Sequence, residues 1–440
     1  MAPTTLVLLG LLCLSAVITC SGGGGTASAT GVRMKLTHVN AKGSYTTEER
    51  VQRAVAVTQQ RLASMRASGG GGVSAPVHWA TRQYIAEYLI GDPPQRVEAL
   101  IDTGSDLIWT QSTACLRKSC ERQDLPYFNA SASGSFAPVL CRDRACAANS
   151  VHFCALDGSC TFRVLYGAGS VIGFLGTDAF AFQSGVATLA FGCVSFSRLT
   201  QGALRGASSL IGLGRGRLSL VSQTGATKFS YCLTPYFHNN GASSLLFVGA
   251  AASLSGGGGP VTSMPFAENP KDYPYSLFYY LPLVGITVGK TKLPIQSSVF
   301  DLRRLDQGFW AGGVIIDSGS PFTSLVEDAY KPLTDELARQ LNGSLVPPPG
   351  GDGGGMALCV ARGDLDSFVP TLVFHFSGGA DMALPPENYW APIDKSTACM
   401  AIFEAFEISI IGNFQQQNMH LLFDIGKGQL SFQTANCSTL

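Results

Sequence analysis

A duplication constrains this chain more than any other feature. Residues 97–110 read VEALIDTGSDLIWT and residues 312–325 read GGVIIDSGSPFTSL, each an apolar strand running into Asp-(Thr/Ser)-Gly-Ser. A second pair follows, Leu210-Ile211-Gly212 and Ile410-Ile411-Gly412, 110 and 95 residues after the two aspartates. A duplicated lobe is the simplest source of such matched pairs. Two lobes related by a pseudo-two-fold axis bring Asp102 and Asp317 face to face, where like charges at close range cannot both ionise and one proton is shared. One site then holds an acid and a base. A single Asp-x-Gly is an ordinary turn, since Asp and Gly are turn residues; the matched strands and matched Ile-Gly partners argue for more than that.

Composition points to a strand-rich, exported protein. With 14% charged residues, 46% hydrophobic residues, 51 Gly and 22 Pro in 440 residues, the chain suits β-rich lobes joined by many turns. Residues 5–19 have the length and apolarity of a signal-peptide core, shorter than a membrane span. No later segment is apolar enough to span a bilayer, and the end of the chain carries no hydrophobic anchor tail. Residues 30–73 hold seven basic residues against Glu48 and Glu49, a charge of +5 balanced by −5 in the rest of a neutral chain. A basic segment ahead of an acidic body reads as an inhibitory propeptide whose grip weakens as carboxylates protonate. Within it, Val51, Val55, Leu62 and Met65 sit at helical spacing behind a Thr46/Glu49 capping box. The Gly-rich residues 69–72 mark a processing hinge.

Of thirteen cysteines, Cys13 and Cys20 fall in or beside the signal peptide. The remaining eleven read as a disulfide framework with one left over, of undetermined connectivity. Sequons at Asn129, Asn342 and Asn436 fit an exported chain. Paired CxxC spacing is missing and the six histidines are scattered, so neither metal nor other cofactor is expected. The mature region lacks a basic patch interleaved with aromatics, which argues against nucleic acid.

The landmarks IGDPPQ at residues 90–95, DTGSDLIWTQ from Asp102, YGAGS from Tyr166, GLGRGRLSLVSQ from Gly212, DSGS from Asp317 and IIGNFQQQNM from Ile410 occur in the order and spacing of one family. The chain resembles the pepsin-type aspartic endopeptidases, and more narrowly the cysteine-rich, nepenthesin-like plant subfamily. That resemblance implies a mainly β, bilobal pepsin-like fold: two pseudo-symmetric, β-barrel-like lobes around a central cleft. It also implies a signal peptide (1–21), a propeptide (22–75), an N-terminal lobe (76–255) and a C-terminal lobe (256–440).

The same resemblance implies roles for residues. Asp102 and Asp317 would activate a water; Gly104 and Gly319 keep the turns tight. Thr103 and Ser318 would exchange hydrogen bonds across the lobes, and Ser105 and Ser320 would bond the outer carboxylate oxygens. Tyr166 and Gly167 would form a flap over the substrate, with Tyr166 bonding Trp109. Ala168 and Pro321 depart from the family's polar residues, which bears on subsite preference. The implied bridges are Cys120–Cys193, Cys141–Cys160, Cys146–Cys154, Cys232–Cys437 and Cys359–Cys399, with Cys115 as the free thiol. Pairing of Cys115 with Cys120 is the alternative. The expected protein is a monomer acting on polypeptides at acid pH, inhibited by its own propeptide, in the apoplast or vacuole. A catalytically silent binding or inhibitor protein of the cell wall on the same fold is the competing reading.

Overall fold

The structure is a computed structural model, and it describes residues 31–38, 46, 49–51, 54–55, 84–115, 119–166, 169–200, 203–204, 206–235, 243–254, 258–305, 309–348 and 356–440. Strands dominate it, arranged as two lobes. A fifteen-stranded sheet runs from the hairpin Met419–Asp424/Gln429–Thr434 through Lys228–Cys232 and Ser244–Val248 into the first lobe. Smaller sheets build the second lobe, one of them holding Val314–Ile316, Ser409–Ile411, Thr323–Val326 and Ile402–Ala405.

Asp102 ends the strand Gln95–Asp102 and Asp317 directly follows the strand Val314–Ile316, and both strands are buried on both faces in the residues next to the aspartates. Gln95–Asp102 pairs in parallel with Ser209–Gly212, setting Gly212 opposite Asp102. Val314–Ile316 pairs in parallel with Ser409–Ile411, setting Ile316 opposite Ile411. The duplication in the sequence is therefore a duplicated parallel pairing, and residues 99–101 (ALI) and 314–316 (VII) are apolar because both faces of each strand are buried where it nears its aspartate.

The basic segment ahead of the first lobe is built into this sheet. Val32–His38 lies between Ser244–Val248 and Tyr84–Ile90, antiparallel to both. Its alternating pattern buries Met34 and Leu36. The capping box forms as expected: Thr46 N–H donates to Glu49 Oε2 at 2.9 Å and Glu49 N–H to Thr46 Oγ1 at 3.1 Å. Val51, Ala54 and Val55 join the main core. Leu62, Met65 and the Gly-rich residues 69–72 lie outside the described residues. Backbone pairing holds Val32–His38 and apolar burial holds Val51, Ala54 and Val55, and Arg33 adds a guanidinium stacked 5.6 Å from the Phe247 ring.

Two of the five implied disulfides form, Cys232–Cys437 and Cys359–Cys399. The other three are corrected. Cys141 pairs with Cys154 and Cys146 with Cys160, because Cys146 and Cys160 are fully buried while Cys141 and Cys154 lie toward the surface. Crossing the pairs would draw a core thiol out to solvent. Cys115 pairs with Cys120, so Cys115 is not the free thiol; Cys193 is. Strand alternation gives the reason. Leu189, Phe191 and Cys193 face the main core, whereas Ala190 and Val194 face the second cluster, on which Cys115 and Cys120 pack. Cys193 points away from Cys120, and burial pushes its thiol pKa up.

Among the described residues no helix is long and apolar enough to cross a membrane. The longest helix, Glu327–Gln340, covers the second lobe with Ala329, Leu333 and Leu337, spaced four apart. Of the sequons, Asn342 and Asn436 are exposed, while Asn129 is half-buried and its Oδ1 accepts from Ser131 N–H.

Candidate active site

The two Asp-x-Gly-Ser turns converge, and their hydrogen bonds mirror each other. In the first, Gly104 N–H donates to Asp102 Oδ1 at 2.9 Å and Ser105 Oγ to Asp102 Oδ2 at 2.5 Å. In the second, Gly319 N–H donates to Asp317 Oδ1 at 2.8 Å and Ser320 Oγ to Asp317 Oδ2 at 2.5 Å. Each carboxylate thus holds its outer oxygen on a serine and turns its inner oxygen toward the other lobe. Both aspartates are 1% exposed or less.

The glycines show how closely the turns approach. A Cβ built on Gly104 would stand 3.1 Å from Asp317 Oδ1 and 3.2 Å from Asp102 Oδ1, and one on Gly319 would collide with Asp102 Oδ1. Both inner oxygens therefore flank the same small volume. Here glycine is required by close approach rather than by backbone conformation.

Thr103 and Ser318 tie the lobes together. Thr103 N–H donates to Ser318 Oγ at 3.1 Å and Ser318 N–H to Thr103 Oγ1 at 2.9 Å. Each hydroxyl then donates across the interface, Thr103 Oγ1 to Ile316 O at 3.3 Å and Ser318 Oγ to Ile101 O at 3.2 Å. All four groups are buried, so this closed network is costly to break.

Above the first turn, Trp109 Nε1 donates to Tyr166 Oη at 2.8 Å. Both side chains are buried, and burial raises the Tyr166 pKa well above its ordinary value. Gly167 and Ala168 lie outside the described residues. Beside the second turn, Ile315, Ile408 and Ile410 pack with Phe278 and Tyr280 into an apolar cluster.

Several residues that shape the site carry no motif of their own. Asn413 Nδ2 donates to Ser318 O at 2.9 Å, and Gln416 Nε2 donates to Ile411 O at 2.8 Å while its Oε1 accepts from Tyr231 Oη at 2.6 Å. The run IIGNFQQQNM was legible as a landmark; the amides in it prove to be the scaffold of the Asp317 turn. Asp106, four residues after Asp102, is half-buried beside Gly216, and burial pushes its carboxyl up to about 6. Among the described residues no cluster of three or more His, Cys, Asp or Glu could hold a metal.

Two family models cover most of the chain: residues 84–250 match the one described as xylanase inhibitor N-terminal, and residues 278–434 its C-terminal counterpart. The chain is 36% identical over 419 residues to aspartic proteinase nepenthesin-1 of Nepenthes gracilis, covering 93% of this chain and 91% of that protein. It belongs to the nepenthesin-like plant aspartic endopeptidases. Nepenthesin-2 of the same plant is 34% identical over 455 residues, covering 99% of both chains. Aspartyl protease family protein 2 of Arabidopsis thaliana is 34% identical over 84% of this chain and 74% of that one. Among solved structures, edgp aligns with a TM-score of 0.66 at 15% identity, over 94% of this chain and 96% of that chain. Soybean basic 7S globulin aligns at 0.64, also at 15% identity, over 92% and 97%. These two likenesses show the pepsin-like fold alone.

Proposed function

We propose that this endopeptidase hydrolyses polypeptides at acid pH through a water activated by the Asp102/Asp317 dyad, and that it is made as a secreted zymogen. One carboxylate takes the proton of the water while the other, protonated, donates to the scissile carbonyl, so attack needs no covalent intermediate. The observation that carries this reading is the mirrored pair of turns, whose inner oxygens flank one volume and whose outer oxygens are each held by a serine. Two carboxylates so close share one proton, and that singly protonated form is favoured in acid. Tyr166, Gly167 and Trp109 serve as flap and support. Residues 22–75 are the propeptide, supported by a Val32–His38 strand that is paired on both edges yet precedes the lobes. Five disulfides and the sequons Asn129, Asn342 and Asn436 support passage through the secretory pathway.

The description of the matching family model as a xylanase inhibitor favours a second reading, a binder of another enzyme on the same fold. The two intact Asp-x-Gly-Ser turns weigh against it. Digestion of a denatured protein near pH 4 and at pH 7, with and without pepstatin, separates the two. Pepstatin-sensitive cleavage confined to acid is expected; no cleavage at either pH would leave the inhibitor reading.

A further inference from the structure

A second group of reactive side chains stands on a sheet of the second lobe, on three adjacent strands that carry no residue of either Asp-x-Gly-Ser turn. Leu283–Val288 pairs with Leu372–Phe376, and Leu372–Phe376 with Ala380–Leu384. Strand alternation sends Ile286, Phe374 and Met382 into the main core. Thr287, His375 and Asp381 are left on the opposite face, where Asp381 is exposed and the other two are half-buried.

His375 stands directly opposite Asp381, and their side chains meet at 2.7 Å between Nδ1 and Oδ1. Its other nitrogen, Nε2, lies 2.6 Å from Thr287 Oγ1. An ionised carboxylate can only accept, so Nδ1 carries the proton and, in the neutral ring, Nε2 accepts from the threonine hydroxyl. Hydroxyl, imidazole and carboxylate thus stand in the order of a nucleophile, its base and the group that orients the base. Gly285, opposite His375, keeps the face beside this relay low: among the described residues, a Cβ there would meet only Lys292 Cε, at 3.5 Å. Lys292 stands opposite Thr287, is exposed, and among the described residues enters no ion pair, so its ammonium is available to a negative oxygen. A histidine held for structural reasons alone needs neither the hydroxyl at its second nitrogen nor an unpaired cation on the same face.

We propose that Thr287, His375 and Asp381 form a second catalytic site, one that transfers the acyl group of small esters with good leaving groups, such as aryl esters. Thr287 Oγ1 attacks the ester carbonyl carbon while His375 Nε2 takes the hydroxyl proton, and the carbonyl π pair moves onto oxygen, on the face that Lys292 shares. When that pair returns, the bond to the leaving oxygen breaks; His375 Nε2 gives its proton to the departing oxygen, and Thr287 is left acylated. A water then adds to the acyl carbon with His375 Nε2 again as base, releasing the carboxylic acid and restoring the threonine hydroxyl. Asp381 keeps the imidazole in the required tautomer and offsets its charge while it holds the proton. The shallow face sets the substrate class: it offers little binding energy, so the ester must already be activated by its leaving group.

The test is hydrolysis of p-nitrophenyl acetate by the full chain at pH 8 with pepstatin present, because an imidazole is a base only when neutral. After subtraction of the buffer rate, Thr287→Val and His375→Gln should each lose about a hundredfold, and Asp381→Asn at least about tenfold. Thr287→Ser should keep the activity, since it keeps the hydroxyl, and Asp102→Asn should leave it unchanged. Rapid acid quenching and peptide mapping should find an acetyl group on Thr287 in the natural chain and none there in His375→Gln. Unfolding midpoints in urea equal to that of the natural chain separate loss of chemistry from loss of fold. Hydrolysis that survives Thr287→Val, or an acetyl group found on Lys292 and not on Thr287, overturns the proposal.

Discussion

The Asp102 and Asp317 turns are near copies in their inner bonding and differ in what crosses behind them. Gly212 backs onto the main chain of Asp106, and Gly412 onto that of Phe322; in each case a Cβ on the glycine would collide with the crossing backbone. In the first lobe the crossing residue is Asp106, whose carboxylate faces Gly216. In the second it is a phenylalanine stacked on Phe403 and set edge-on to Phe414. The first turn sits beside a titratable group and under Tyr166; the second is locked into an apolar wall and an amide scaffold of Asn413 and Gln416. Duplication thus preserved what places two carboxylates together, while the surroundings diverged to an enclosed titratable group on one side and an apolar, amide-braced wall on the other.

That comparison can be broken first at the two glycines. Gly319→Ala drives a methyl into Asp102 Oδ1, between two buried turns that cannot both retreat. Its kcat/KM should fall at least about a hundredfold. Gly104→Ala meets both oxygens at just over 3 Å and should lose several-fold less. Equal losses in peptide hydrolysis would show that the two turns tolerate crowding alike.

The cross-lobe pair sharpens the same point. Thr103→Val and Ser318→Ala each remove a hydroxyl that both accepts and donates across the interface. Each should cost about 1–3 kcal/mol. In a double-mutant cycle by urea unfolding, the pair should lose less than the sum of the singles, with a coupling of about 1 kcal/mol or more. Additive losses would mean that the two bonds act independently.

The smallest effect concerns pH. Asp106 has a folded-state pKa raised above its unfolded value, so its protonated form favours folding below about pH 4 and that contribution is lost as pH rises through about 6. Asp106→Asn should therefore gain about 1 kcal/mol over the natural chain at pH 7 and nothing near pH 4, after allowance for its partial exposure. Phe322 offers no such pH dependence. A variant equally stabilised at both pH values would remove burial of the charge as the cause.

The duplicated turns, their Ile-Gly partners and the capping box were legible because each is a local pattern with a local cause. Strand alternation was legible too, yet the disulfides were not. Which face of Gly185–Leu199 Cys193 occupies depends on the register of that strand against Trp109–Gln111, a tertiary fact. Likewise, the burial that sorts Cys146 and Cys160 from Cys141 and Cys154 exists only after the hairpin packs. Asp106 stood in plain view beside a known motif but read as ordinary, since its enclosure depends on Gly216, more than a hundred residues away. The insertion of Val32–His38 into the central sheet was equally hidden, because pairing partners leave no mark on a single strand.

The central claim is that two matched turns make one catalytic site, and steady-state hydrolysis by Asp102→Asn and Asp317→Asn tests it most directly. An asparagine cannot hold the shared proton, so each variant should lose at least about a thousandfold in kcat while keeping the unfolding midpoint of a folded protein. Pepstatin-sensitive hydrolysis by either variant at a rate near that of the natural chain would contradict it.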